Sequence, residues 1–270
     1  YIKLFENIKV RNIGPAKVSG RITKVIKDHS DKNIWYVTVA SGNIWKTENS
    51  GTTWIPIFEH YGSSSIGTIT MDPHNSKILW VGSGENNSQR SVGFGDGIYK
   101  SIDAGVTWAN MGLKTSEHIA KIIVDPNDSD NIFVASQGPL WRSGGERGLY
   151  NSTDGGKNWT RILHVNDDTG ISDVVMDHEN NNVMYASTYQ RRRHFGIVVA
   201  GGPDGGIFKS IDKGKTWKKL KNGLPGGDLG RIGLAISPQQ SNVVYALITA
   251  KEKTKGFYRS EDYGETWKKM

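Results

Sequence analysis

The 270 residues include Gly 33, Trp 9, Pro 8 and Cys 0, with Lys+Arg 34 against Asp+Glu 27 for a formal charge of +7. Without cysteine there is no disulfide scaffold, thiolate metal site or cysteine nucleophile; a mean hydropathy of −0.50, with no apolar run near about 18 residues, argues against a membrane-spanning helix. The basic residues are scattered and dense only at Arg191-Arg192-Arg193, which argues against a nucleic-acid footprint.

Residues 1–20 read as an N-terminal segment able to supply a closing strand. From residue 21 the chain repeats one pattern: short apolar β runs bounded by turn residues, with no helical periodicity. The first repeat (about 21–58) carries an apolar run at 34–40 and then Thr47-x-Asn49-x-Gly51-x-Thr53-Trp54. The second (66–112) has runs at 66–72, ended by Pro73, at 78–82 and at 98–101, leading into Ser101-x-Asp103-x-Gly105-x-Thr107-Trp108. The third (119–164) repeats this at 119–125, before Pro126, at 132–135 and at 149–152, with Ser152-x-Asp154-x-Gly156-x-Asn158-Trp159. The fourth (171–220) has runs at 171–177, 183–186 and 207–210, with Ser210-x-Asp212-x-Gly214-x-Thr216-Trp217. The fifth (232–270) has 232–237 before Pro238, 243–247 and 257–260, with Ser260-x-Asp262-x-Gly264-x-Thr266-Trp267.

A period of about fifty residues marks a stacked or radial repeat architecture. Four short strands per period predict one antiparallel sheet per repeat, and such sheets fanned around an axis make an all-β propeller. A linear solenoid would leave too many open strand edges. The motif explains itself physically. Its Asp carboxylate can accept backbone N–H bonds across a tight turn. Its Gly supplies a φ > 0 position without a Cβ penalty, and its Trp lays a large apolar face between neighbouring sheets. Five acidic or amide residues at equivalent hairpin turns are therefore expected to be scaffold, and Asn49 fits, since a neutral amide can serve the same turn.

These segments resemble the Asp-box (BNR) repeat, which occurs in sialidases, two-propeller xyloglucanases, photosystem II assembly propellers and the sortilin ectodomain. The chain is most similar to the bacterial sortilin-like (Vps10-type) proteins often named "glycosyl hydrolase BNR repeat". That likeness rests on Asn12-Ile13-Gly14-Pro15, Ser19-Gly20-Arg21-Ile22, the stretch from Ala40 to Thr47, Gly82-Ser83-Gly84-Glu85-Asn86 and the stretch from Gly95 to Ser101. The relatives are usually much longer, so the resemblance implies that these five blades are part of a larger propeller. It also implies an exported protein (secreted, periplasmic or at the cell surface) whose signal peptide is not in this chain.

In a propeller the strand 2→3 and 4→1 connections share one face, opposite the Asp-box turns, and loops on a rigid scaffold tend to carry function. The long 2→3 connections at 83–97, 136–148 and 187–206 offer Arg90, Trp141, Arg142, Arg147, Tyr189, Arg191, Arg192, Arg193 and His194 as ligand-binding candidates. Aromatic and arginine side chains there can stack on sugars or clamp a carboxylate. Carboxylates on the same rim, namely Glu85, Asp96, Glu117, Glu146, Asp168 and Asp173, are the catalytic candidates for glycosidase chemistry, which needs an acid and a nucleophile or base. Each is otherwise an ordinary solvated loop charge.

The sialidase pattern is not met: Gly20-Arg21-Ile22-Thr23 lacks its Phe and Pro. The xyloglucanase stretch Thr-Asp-Val-Gly-Gly, whose Asp is catalytic, aligns with Val39-Ala40-Ser41-Gly42-Asn43, which has no Asp. The histidines are isolated, without zinc spacing, and no calcium-loop spacing occurs, so neither metal nor cofactor is expected. On these grounds the expectation is a non-catalytic binding or scaffold propeller. Its partner would be a protein, a peptide or a glycan, with no nucleic acid and no membrane insertion, and further blades or a partner chain would close the ring. The alternative is a glycoside hydrolase of sialidase or xyloglucanase type using a rim carboxylate pair.

Overall fold

The computed structural model describes residues 20–87 and 92–270. The proposed closing strand in residues 1–19 and the candidate Arg90 lie outside the described residues. The described chain contains no helix and folds into five antiparallel sheets. The first blade is β1 (Ile22–Lys27), β2 (Trp35–Val39), β3 (Asn43–Thr47) and β4 (Ile55–Pro56); the second is β5 (Ile66–Met71), β6 (Leu79–Ser83), β7 (Ile98–Ser101) and β8 (Ala109–Asn110). The third is β9 (Ile119–Asp125), β10 (Asp128–Ser136), β11 (Gly148–Ser152) and β12 (Thr160–Leu163). In the fourth, β13 (Thr169–Met176), β14 (Met184–His194), β16 (Gly206–Ser210) and β17 (Lys218–Lys219) form the blade, and β15 (Ile197–Ala200) pairs with the far end of β14. The fifth is β18 (Ile232–Ile236), β19 (Val244–Ile248), β20 (Gly256–Ser260) and β21 (Lys268–Lys269).

Strand order follows chain order within every blade, and the first strands of successive blades pack side by side from β1 to β18. Alternation explains the cores. In a strand, successive side chains face opposite sides, and here both sides are apolar in the middle blades, so each blade packs on two neighbours. Four apolar clusters result, one at each junction. Tyr36, Ile44 and Phe58 meet Leu79 and Trp108 between blades one and two. Trp80 and Ile98 meet Ile132 and Tyr150 between two and three. Phe133 and Leu149 meet Val174 and Ala186 between three and four, and Tyr185 and Ile207 meet Val244 and Trp267 between four and five.

Among the described residues no fifth cluster joins blade five back to blade one. The five sheets form an open arc. Its end faces show it: Leu247 is 63% exposed and Phe257 43%, with Phe257 stacked on Tyr245 in the open. The box tryptophans tell the same story. Each packs toward the preceding blade, so Trp108 and Trp267 are 7% and 5% exposed, whereas Trp54, whose blade has no described predecessor, is 36% exposed.

The Asp boxes close the β3–β4 type hairpins as expected. In the fourth box Ser210 Oγ donates to Asp212 Oδ1 at 2.7 Å and accepts from the Gly214 N–H at 2.8 Å. The Thr216 N–H and hydroxyl donate to the two Asp212 oxygens at 2.8 and 2.6 Å. In the first box the polarity of one bond is reversed: Asn49 Nδ2 donates to Thr53 Oγ1 at 2.9 Å, while Asn49 Oδ1 still accepts from the Thr53 N–H at 2.9 Å. An amide thus completes the same turn.

One stretch departs from expectation. Residues 187–206, read as a long loop, are largely strand: β14 runs through His194 and returns as β15, with Arg191 opposite Ala200 and His194 opposite Ile197. The run of β-branched residues at 197–199 favours an extended return strand, and Gly196 at φ 74 makes the tight tip.

Candidate functional site

The strand 2→3 and 4→1 connections gather on the face opposite the boxes, and there the side chains of all five blades interlock. The segment 85–87, leaving β6, lies at the centre. It is aimed by Gly84, held at φ 87, where an added Cβ would sit 1.7 Å from the Glu117 carbonyl oxygen. Only glycine fits such a left-handed position against backbone. Glu85 is 1% exposed and receives both its oxygens' partners from Arg21, Nε at 2.7 Å and NH2 at 2.7 Å. A fork-to-fork guanidinium pair is the strongest way to hold a buried carboxylate.

Three further blades tie down the next residues. Arg231 donates to the Asn86 backbone oxygen and to Asn86 Oδ1, both at 3.3 Å, and Asn86 Nδ2 donates to the Ala120 oxygen at 3.1 Å. Arg191 donates to Gln137 Oε1 at 2.9 Å and to the Asn87 oxygen. His118 Nδ1 donates to the Glu85 oxygen at 2.7 Å. Burial, reinforced by the Arg191 charge, pulls the His118 imidazole down to about 3, so it is neutral.

The third and fourth blades build a second cluster. Arg147 is fully buried and donates to the carbonyls of Gln137 and Pro139. Arg192 donates to the Leu140 oxygen at 3.2 Å and pairs with Asp168, which also accepts from Ser143 Oγ at 2.7 Å. That hydroxyl, together with Arg192, holds the Asp168 carboxyl below the usual carboxylate range. Glu117 pairs with Arg142 at 2.9 Å, and Glu146 accepts from the Thr115 N–H at 2.7 Å. Burial and the Arg192 charge pull the Arg147 guanidinium down to about 10, against the opposing charges of Asp168 and Glu117.

The remaining carboxylates lie apart. Asp96 accepts from the Tyr99 hydroxyl at 2.6 Å beside a cavity of about 330 Å³ that Phe94 also lines. Asp173 sits within β13 rather than in a connection, paired with Lys121 at 2.8 Å and accepting from the Leu234 N–H at 2.9 Å. Every candidate acid is therefore hydrogen-bonded or ion-paired. Tyr189 and Arg191 are buried, 2% exposed each; with Arg147 they serve the framework of this face rather than offering free contact. Trp141, Arg142 and His194 are exposed. Arg193 is half-buried, its N–H bonded to the Leu140 oxygen at 2.8 Å. Among the described residues no group of three His, Cys, Asp or Glu side chains is placed to hold a metal ion.

Sequence reasoning passed over three participants. Arg21 stands in a motif quoted for the resemblance, but nothing local marks its carboxylate partner 64 positions away. Gln137 carries no signal at all. Phe94 is 71% exposed and, with Trp141 at 65% and Phe195 at 101%, puts one bare aromatic ring on each of the three long connections of this face. Ile197 and Val198, 59% and 55% exposed, extend the apolar surface beside Phe195.

Comparison with known proteins adds to this geometry. The family model for sortilin (neurotensin receptor 3) matches residues 147–270. The chain is 26% identical over 254 residues to xyloglucanase Xgh74A of Acetivibrio thermocellus, covering 84% of this chain and 28% of that protein. It is 24% identical over 221 residues to a probable oligoxyloglucan-reducing end-specific xyloglucanase of Neosartorya fischeri, covering 74% of this chain and 24% of the other. The chain thus spans about a quarter of the length of these curated relatives. Among solved structures, the GH74 xyloglucanase of Xanthomonas campestris superposes with a TM-score of 0.72 at 19% identity, over 95% of this chain and 39% of that one. The β-propeller fold and the resemblance to Asp-box repeat proteins are borne out on both the sortilin and the xyloglucanase side. The expectation of a non-catalytic binding or scaffold protein is overturned. The relatives that match most of the chain are named as glycan-cleaving enzymes, so the lean away from an enzyme is withdrawn with it. The missing Asp at 39–43, which carried that expectation, concerned one stretch of one blade, whereas the similarity covers most of the chain.

Proposed function

We propose that this chain is part of a glycoside hydrolase acting on a β-glucan of the xyloglucan kind, with the substrate lying across the face built from the 2→3 and 4→1 connections. One observation carries the reading: Phe94, Trp141 and Phe195 expose bare rings on that face, and the exposed polar side chains Arg142 and His194 stand next to the last two in the chain. Pyranose rings present apolar C–H faces that stack on such platforms, and their hydroxyls bond to the polar groups between them. The rim carboxylates near Trp141, Glu117 and Asp168, and Asp96 beside Phe94, are the candidates for the acid and base or nucleophile that hydrolysis requires. Asp168, held ionised, suits the second role. A polymer of this kind does not cross a membrane, so the reading carries an extracellular setting with it. The bare faces at the two ends of the arc, Trp54 at one and Leu247 and Phe257 at the other, support closure of the propeller by further blades.

Reducing-sugar release from xyloglucan, with binding of its oligosaccharides followed by calorimetry, tests the proposal. Trp141→Ala is expected to weaken binding about tenfold, and Asp168→Asn to abolish turnover while leaving binding near wild type. Unchanged affinity in Trp141→Ala together with full turnover in Asp168→Asn, Glu117→Gln and Asp96→Asn would remove this face from the reaction.

A further inference from the structure

Below the segment 85–87, on the axis of the arc, lies a cavity of about 240 Å³ that every blade helps to line through its first strand or the residue before it. Thr23, Lys24, Thr68, Lys121, Asp173 and Arg231 supply its polar wall. Three of these are cations and one is a carboxylate. The Asp173 oxygens are occupied by Lys121 at 2.8 Å and by the N–H groups of Val174 and Leu234, each at 2.9 Å. Among the described residues Arg231 meets only neutral acceptors, the two oxygens of Asn86. Lys24 has no carboxylate within ion-pairing reach among the described residues.

Three cations against one carboxylate thus leave an excess of positive charge around a half-open polar space. Cations gathered around one polar space raise the local positive potential, and that potential favours an entering anion. Desolvation on the cavity side and the neighbouring Lys121 hold the Lys24 ammonium below its ordinary range, against the opposing charge of Asp173, although the side chain remains exposed. The volume admits a compact group with a few oxygens rather than a sugar polymer.

We propose that this axial cavity binds a compact oxyanion, with Lys24 and Arg231 as its charged ligands and Lys121 shared between it and Asp173. The site is separate from the exposed aromatic rim and goes beyond the glycan-cleaving reading. A bound anion would offset the repulsion between strands drawn from several blades, and so stiffen the arc at its axis. The same chemistry is offered by free phosphate or sulfate and by the carboxylate of an acidic sugar.

Calorimetric titration of the full chain at neutral pH, in a low-chloride buffer, with phosphate, sulfate, acetate and glucuronate tests this. One saturable site for at least one of the four is expected, weakened about tenfold or more in Lys24→Met and in Arg231→Met, the usual effect of losing one charge-assisted bond. Because Arg231 also restrains Asn86, Arg231→Lys is measured alongside, and its affinity is expected within about tenfold of wild type, since the charge remains. Tighter binding of phosphate or sulfate identifies the inorganic source, and tighter binding of glucuronate the acidic sugar. Heats of dilution only for all four anions, or an affinity unchanged in Lys24→Met, would overturn the proposal.

Discussion

The two faces of this arc are built by opposite strategies. On the Asp-box face each turn satisfies itself within a few residues: the bonds of the fourth box all join partners two or four positions apart, Ser210 with Asp212 and Gly214, and Asp212 with Thr216. On the connection face the bonds join residues 64 positions apart for Arg21 and Glu85, 54 for Arg191 and Gln137, and 145 for Arg231 and Asn86. A repeated local device can lose one member and leave its neighbours intact. An interlocked centre cannot, because one group there serves partners from several blades at once, as Arg191 serves both Gln137 and Asn87.

The contrast can be broken at its strongest point by Arg191→Met. That change leaves Gln137 Oε1 buried, and the half-buried Asn87 oxygen, without their donor, and a loss of about 3–5 kcal/mol in urea unfolding is expected. A loss under about 1 kcal/mol would mean that the centre is no more demanding than a surface turn. His118 gives the next largest effect, and it depends on pH. Its imidazole is held near 3 in the fold against about 6.5 when unfolded. The neutral form is the one the fold accepts, so stability is fully present above about 6.5 and falls as pH drops from there toward 3. In His118→Asn that decline is expected to flatten; parallel pH profiles for variant and wild type would show that other groups govern the range.

The smallest effect belongs to the boxes. Asp212→Asn preserves the Oδ1 acceptor, as Asn49 already does in the first blade, and a fall in Tm of less than about 4 °C at neutral pH is expected. Its signature is elsewhere. The Thr216 hydroxyl and N–H hold the Asp212 carboxyl near 2, a depressed carboxylate whose contribution is complete above about 4 and disappears between about 4 and 2. The asparagine variant is expected to lose that acid-sensitive part, which thermal melts at pH 2, 3 and 4 would reveal; a wild-type Tm that falls no more steeply from pH 4 to pH 2 than the variant's would argue that the carboxylate is not what the turn uses.

The same division governs what was readable in advance. The left-handed glycines of the boxes, such as Gly214 at φ 82, were legible because the turn requires them whatever surrounds it. The residue before each box glycine is also left-handed, as at Lys213 with φ 57 and Tyr263 with φ 56, and this was not legible, since those residue types carry no preference for it. The ligand candidates on the fourth blade were visible as a run of arginines, but a run does not say which member turns inward. Arg191 and Arg192 do, and the reason is the hairpin of β14 and β15, which anchors them against Gln137 and Leu140.

The order of residues by itself determined the repeat, the four-stranded blade and the architectural role of the five box positions. Each of those follows from bonds and alternation confined to a few neighbours in the chain. Which charges are buried at the centre, which aromatic rings stand bare on the rim and where the axis gathers cations were decided only when the blades were set around one another. Those properties are sums over residues from several blades, and a sequence records each contributor without recording that they meet.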